Sequence, residues 1–542
     1  MRILKASVIA ALMLGMGGCA QLEQIYRPAD TVALKGPPAA PDTACDAPDK
    51  AAPAYDIAYL KDCTASDTFV LFAFSGGGIR SASFGYGALT AAHAAQVPDA
   101  AGSHPLSQDI DVVSGVSGGS FTAAAFATHR EALFPKPGAA DLYRDNFLTH
   151  DFFAELFSIY FAPWHWQWML PDYSAQDEMA KVYAGIPFSS PSDPVFAKTY
   201  GDLAKKGRPL LVVQGTDYGN EQPFTFTQND FDLICSDLRP YPVGNAVAAS
   251  SAFPVLFSPI RLTNHHFDGR KDYCATHRPA WIDGVLDQDE PEDLSRLYTR
   301  ARIANDYLPP KPGAPPRKGE PPRSVFLQDG GVVDNMALRG FTNAVLPYLG
   351  SDDGADMWKG PLRAAACKGG WNKIKHVAVI VVDGQARPNN QVSQLPYLSD
   401  VLLILDVTSS ALIDATGFET MMSTRALTGV MAERLQQLQC DGDEGTRTVT
   451  PWFAHVSFDD LAEDTVLPPS ACDRSAKEGC TLGDLARSGT SLAFTPEQVD
   501  ALVSAGQSAL QCNPKVKALL RALNAKPGAD PPLPCRPRKD GK

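Results

Sequence analysis

The chain has 542 residues, 44% of them hydrophobic, enough for a large buried core built as one catalytic domain with embellishments. Its formal charge of −13 argues against nucleic-acid binding and against recruitment to anionic lipid by bulk electrostatics. Beyond the N-terminus no apolar run reads as a membrane span, since Val401-Leu402-Leu403-Ile404-Leu405 is bracketed by Asp400 and Asp406 and fits a core segment.

Met1-Arg2-Ile3-Leu4-Lys5 is a basic start and Val8 to Met16 an uncharged apolar run, the layout of a signal peptide over residues 1–18. It ends in Leu14-Gly15-Met16-Gly17-Gly18-Cys19-Ala20, which resembles the lipobox of bacterial lipoproteins, with Met16 where leucine is usual. That resemblance implies cleavage before Cys19, lipidation of this residue and anchorage in the cell envelope; the alternative is ordinary secretion with Cys19 as a thiol. Several acyl chains on one cysteine anchor firmly, where one alone is marginal. Ala20 in place of aspartate points, by analogy with enterobacterial lipoproteins, to the outer membrane facing the periplasm. Residues 19–66 are rich in proline and alanine and read as the lipidated start and an extended tether. Without Cys19 the eleven cysteines become ten, an even number suited to as many as five disulfides in an oxidising compartment. No Cys-x-x-Cys pair signals a zinc ribbon or a thioredoxin-type motif.

The catalytic domain is expected over 67–510. Phe69-Val70-Leu71-Phe72-Ala73-Phe74 reads as a buried strand running into Ser75-Gly76-Gly77-Gly78-Ile79-Arg80, and Ile110-Asp111-Val112-Val113 as a second running into Gly115-Val116-Ser117-Gly118-Gly119. A strand, a Gly-x-Ser-x-Gly turn and a helix form a nucleophile elbow that exposes the serine hydroxyl. The upstream glycines would supply closely approaching N–H groups for a developing oxyanion. Neither a P-loop ending nor a Gly-x-Gly-x-x-Gly pattern is present, so a nucleotide site is excluded and a serine acyl hydrolase is indicated.

Farther along, Phe152 to Tyr173 crowds nine aromatic residues, among them Trp164, Trp166 and Trp168, and reads either as an interfacial lid or as core. Strands are expected at Pro209–Gln214, Ser324–Gln328 and His376–Val382, as continuous apolar runs of a parallel sheet covered on both faces. His265, His266, Asp268, Asp272, Cys274 and His277 have metal-ligand chemistry but no zinc spacing, and no metal is assigned to them. An insertion spans about 259–323, with a proline-rich surface loop at Leu308–Pro316. Between Ser409 and Leu438, Ala411, Ala415, Phe418, Met422 and Ala426 recur at helical spacing, predicting a long helix with this stripe on the sheet. Met421, Met422 and Met431 suit core packing or an acyl-chain pocket. Residues 511–542 read as a C-terminal tail.

Four motifs in order, Gly76-Gly77-Gly78-x-Arg80, Gly115-x-Ser117-x-Gly119, Ala249-Ser250-x-Ala252-x-Pro254 and Asp329-Gly330-Gly331, resemble the patatin-like phospholipases over roughly residues 67 to 340. The resemblance implies a three-layer α/β/α fold with a mostly parallel central sheet, and hydrolysis of lipid acyl esters of the phospholipase A or lysophospholipase type. It implies no metal or other cofactor. Membrane phospholipid or a related lipid ester would be the substrate. By position Ser117 would be the nucleophile, Asp329 its partner in a Ser-Asp dyad, and Gly76, Gly77 and Gly78 the oxyanion loop, with Arg80 steadying that loop or meeting a lipid phosphate. A Ser-Asp-His triad would need His376 or His455, the histidines that follow Asp329. A non-catalytic envelope lipoprotein retaining the fold is a third reading.

Overall fold

The structure, a computed structural model, describes residues 30–36, 55–56 and 66–537, apart from 101, 164, 167–172, 255–256, 270–271, 288–295, 312, 314–318, 344–362, 364–365, 368, 388–400, 443–446, 472–479 and 490, with backbone alone over 401–415. The expected signal peptide and Cys19 lie outside the described residues. Two pieces of the Pro/Ala-rich stretch lie within them and are packed on the domain. Val32–Ala33 pairs antiparallel with Ser236–Asp237, and the buried Tyr55 hydroxyl accepts the Leu211 N–H at 2.7 Å.

The central sheet has eight strands: β1 (Thr68–Phe74), β2 (Ile110–Gly115), β3 (Leu210–Asp217), β4 (Gln222–Thr225), β5 (Ile260–Thr263), β6 (Ser324–Asp329), β7 (His376–Asp383) and β8 (Thr450–Ser457). Their order is β5-β6-β3-β2-β1-β7-β8, with β4 also paired to β3. The five strands from β3 to β8 in that order are parallel, whereas β4 and β6 pair antiparallel with β3, and β5 pairs antiparallel with β6. β1, β2 and β3 are buried along their whole length, as their unbroken apolar runs require of strands covered on both faces. The register of β1 on β2 slips at Asp111, whose carboxylate takes the Val70 N–H at 2.7 Å and forms a buried ion pair with Arg208. The chain steps from β1 outward to β2 and β3 and later returns to the other side of β1 with β7. In open α/β sheets the carboxyl ends of the strands at such a reversal are where ligands bind.

Helices flank the sheet: α1 (Gly78–Ala94) and α2 (Gly118–His129) start directly at the turns after β1 and β2, followed by α3 (Phe152–Phe161), α4 (Ala175–Gly185), α5 (Val243–Ser250), α6 (Val401–Gln437), α7 (Pro496–Cys512) and α8 (Pro514–Ala522). α1 packs against both α2 and α7. Among the described residues, disulfides join Cys235 to Cys274, Cys367 to Cys440 and Cys512 to Cys535. The second member of that last pair lies in the chain's final stretch, just after α8.

Three expectations change. The strand ending at Asp329 does not join the parallel set: β6 runs antiparallel to β3 and alternates buried Val325, Leu327 and Asp329 with outward residues, leaving Phe326 46% exposed. The described part of the apolar stripe expected on the sheet lies on the outer face of α6, with Phe418 64% and Met422 50% exposed and Ala426 exposed as well, while the side chains of Ala411 and Ala415 lie outside those described. The buried face is carried by Thr420, Thr424, Thr428, Met431 and Leu435, because threonine hydroxyls can be satisfied by the helix's own carbonyls, as Thr424 does on Thr420 O and Thr428 on Thr424 O. The aromatic segment is divided. On α3, Phe152, Leu156 and Ile159 face the core while Phe153, Phe157 and Phe161 are exposed. Trp164 and Trp168 lie outside the described residues.

Candidate active site

Register alone brings the two central residues level. Gly115 of β2 pairs with Val213 of β3, and Gly215, two residues further, pairs with Asp329 of β6. Ser117 stands two residues beyond Gly115, so it meets Asp329 at the same height, and the Ser117 Oγ–H donates to Asp329 Oδ2 at 2.7 Å. The elbow is strained: Ser117 has φ 49° and ψ −127°, a region a side chain adopts at a cost. Gly118 permits it, because a Cβ there would lie 2.0 Å from Gly78 O of the upstream glycine loop.

Asp329 is held from three sides. Its other oxygen, Oδ1, accepts the Gly331 N–H at 2.8 Å, its own N–H donates to Ala252 O at 2.9 Å, and its carbonyl accepts from Thr216 Oγ1 at 2.7 Å. Burial pushes its carboxyl up from 3.8 to about 6, although the hydrogen bonds from Ser117 and Gly331 pull the other way. A carboxylate of that basicity accepts a serine proton far more readily than a solvated one.

The Ala249–Pro254 segment supplies the supports. Ser250 Oγ accepts the Ser117 N–H at 2.9 Å and donates to Gln214 O at 2.6 Å, while Ala252 O holds Asp329. One motif thus fixes both members of the pair. Tyr183 of α4, buried beside Ser251 and near Asp329, was missed by sequence reading. Its distance along the chain left no local signal.

In the glycine loop the predicted donors divide. The Gly76 N–H is already given to Asn335 O at 2.9 Å, so it is not available to a substrate oxyanion. The N–H groups of Gly77 and Gly78 have no partner among the described residues and stand at the start of α1, where the helix dipole favours negative charge. Gly77 has φ 137°, which a side chain would resist. The loop lies against the nucleophile: a Cβ on Gly76 would be 3.3 Å from the Ser117 Cβ. Arg80 is turned away from any lipid phosphate. It is buried, and its guanidinium donates to the carbonyls of Gly384 (3.0 Å), Gly489 (3.0 Å) and Ser488.

Neither histidine of the triad alternative joins the pair. His376 meets the Trp452 indole N–H at 3.2 Å, and His455 bonds Asp383 at 3.0 Å. Among the described residues no histidine is hydrogen-bonded to Ser117 or Asp329. In the histidine-rich loop, His265 is occupied by Asp268 and Thr31, and His266 by Cys274 O. No group of three metal-ligating side chains gathers among the described residues.

Residues 72–294 match the family model of the patatin-like phospholipases, and this part of the chain is a patatin-like phospholipase domain. Asp329 lies beyond the matched stretch. A solved structure of human GIVD cytosolic phospholipase A2 is similar at 13% identity and a TM-score of 0.37, over 84% of this chain and 60% of that one. The chain therefore spans less than two thirds of that structure's length. No curated protein matches the chain in sequence.

Proposed function

We propose that the protein is a serine lipid acyl hydrolase of the phospholipase A or lysophospholipase type, working through Ser117 and Asp329. The observation that carries this reading is the 2.7 Å hydrogen bond between the strained Ser117 and a buried Asp329 whose carboxyl sits near 6. Asp329 takes the Ser117 proton as Oγ attacks the ester carbonyl. The tetrahedral oxyanion meets the Gly77 and Gly78 N–H groups, which are worth on the order of a hundredfold in rate or more. Collapse breaks the bond to the leaving alcohol, which takes the proton from Asp329 and departs. Water, activated by the same carboxylate, then hydrolyses acyl-Ser117 and frees the fatty acid.

A fluorophosphonate probe should label the native protein and spare Ser117→Ala. Profiling lipids incubated with each should show fatty-acid release with the native protein alone. Equal labelling or equal release would end the proposal. The lipobox-like Gly17-Gly18-Cys19, with disulfides suited to an oxidising compartment, supports a lipid-anchored protein of the bacterial envelope. Metabolic labelling with a clickable fatty acid should mark the native chain and not Cys19→Ser.

A further inference from the structure

β7, β8 and the segments after them lie beyond the matched domain and take no part in the chemistry described above. Yet they carry a polar chain, half-buried at His455 and Asp383 and buried at Ser75, that ends on the glycine loop. His455 of β8 places Nε2 3.0 Å from Asp383 Oδ2 at the end of β7, and its backbone carbonyl is held by Asn513 Nδ2 at 2.6 Å. The other Asp383 oxygen accepts the Gln385 N–H at 3.0 Å, which braces the turn at Gly384 between them. Ser75 Oγ accepts the Gly384 N–H at 3.0 Å and lies 3.2 Å from Gly76 O and 3.3 Å from Ser81 Oγ. The Ser75 N–H donates to Val382 O at 3.1 Å. From the far side, Gln385 Oε1 accepts from Asn335 Nδ2 at 3.0 Å, and Asn335 O is the group that holds the Gly76 N–H.

We propose that Asp383 and His455 are positioning residues for the oxyanion loop: the pair fixes the Gly384 turn, whose N–H holds the Ser75 hydroxyl, and through them the place where the Gly77 and Gly78 N–H groups meet the substrate. This rests on the assignment of that loop under the proposed function. Burial acts against charge on both partners, but each favours the other's charged form. Hydrogen bonding and charge from His455 hold Asp383 below its ordinary value, with help from the Gln385 N–H and Ser75. Asp383 holds His455 above its ordinary value, with smaller contributions from Asp460 and Asp459. A loop displaced by a fraction of an ångström would bind substrate as before and stabilise the oxyanion less, so the loss belongs in kcat.

The test is steady-state kinetics on a soluble ester with the full chain, comparing His455→Ala, His455→Gln and Ser75→Ala, with His376→Gln at the opposite end of the strand pair and Ser117→Ala as controls. His455→Ala and Ser75→Ala should each lower kcat about tenfold with KM within about twofold. His455→Gln, which keeps an N–H directed at Asp383, should recover most of the loss, and His376→Gln should match the native enzyme. Native kcat in both His455→Ala and Ser75→Ala would overturn the inference. So would an equal loss in His455→Gln and His455→Ala that follows melting temperature, the pattern of a merely structural pair. An active Ser117→Ala would instead overturn the proposed function, which separates the two failures.

Discussion

Asp329 concentrates the residue-scale physics, because the burial that raises its carboxyl, as the proposed base would need, also costs stability. Its folded carboxyl lies near 6 against an ordinary 3.8, so the folded state prefers the protonated form. The sign follows: this group's contribution to stability is fully present below about pH 3.8 and is lost as pH rises through about 6. The shift corresponds to as much as ~3 kcal/mol at neutral pH. Asp329→Asn should therefore melt no lower than the native protein at pH 7. Its amide oxygen can still accept the Gly331 N–H while the amide nitrogen faces Ser117. Turnover should fall by about a thousandfold or more, since the base is gone. In the native enzyme kcat/KM should decline below about pH 6, roughly tenfold per unit, as the base is protonated. An acid limb near pH 4 would show that the carboxyl is not desolvated during turnover.

At the scale of elements, α6 shows how far an apolar pattern can mislead. Phe418 and Met422 are half or more exposed, whereas Leu435 is 3% exposed on the buried face. Replacing Phe418 by serine should change stability by within ~0.5 kcal/mol, while Leu435→Ala should cost about 2–5 kcal/mol by denaturant unfolding. Equal effects would mean that the outer stripe is covered in the folded protein. β6 makes a related point. An antiparallel strand needs only one face buried, and its alternation of buried Val325, Leu327 and Asp329 with outward Phe326 is the pattern of that arrangement. Its direction decides how Asp329 arrives beside Ser117, coming down toward the elbow while β2 comes up to it.

Across the whole molecule, the C-terminal half packs directly on the matched domain. α1, which opens on the glycine loop, lies in backbone contact with α7: a Cβ on Gly506 would be 1.9 Å from Phe84 O, and one on Gly87 2.0 Å from Val503 O. Gly506→Ala should destabilise the protein by about 1–3 kcal/mol, because backbone must move and the gain in helix propensity offsets only about 1 kcal/mol of the cost. It should also weaken turnover, since α1 carries the Gly77–Gly78 donors. A raised melting temperature would show that the two helices are not in contact. Removing the Cys512–Cys535 disulfide, which spans 23 residues around α8, should cost roughly 3 kcal/mol under oxidising conditions.

Local geometry that depends on neighbours along the chain was legible in the sequence. The buried strands β1 and β2, the elbow at Ser117, the glycine loop and the turn at Asp329 are local patterns, because a tight turn needs glycine where the backbone passes close to itself. The α/β/α class was implied by the resemblance of the four motifs, and the continuous runs added a sheet covered on both faces. What needed the tertiary structure were pairings between distant segments. Only the sheet register sets Ser117 level with Asp329, only the approach of Asn335 takes the Gly76 N–H out of the donor set, and only the packing of Gly384 and Ser488 turns Arg80 inward. The direction of β6, the exposed face of α6 and the bond from Ser250 to the nucleophile's N–H belong to the same class. Their physical reason is common: a residue's hydrogen-bond partner and exposure are set by which segments fold against it, and spacing along one chain does not encode that.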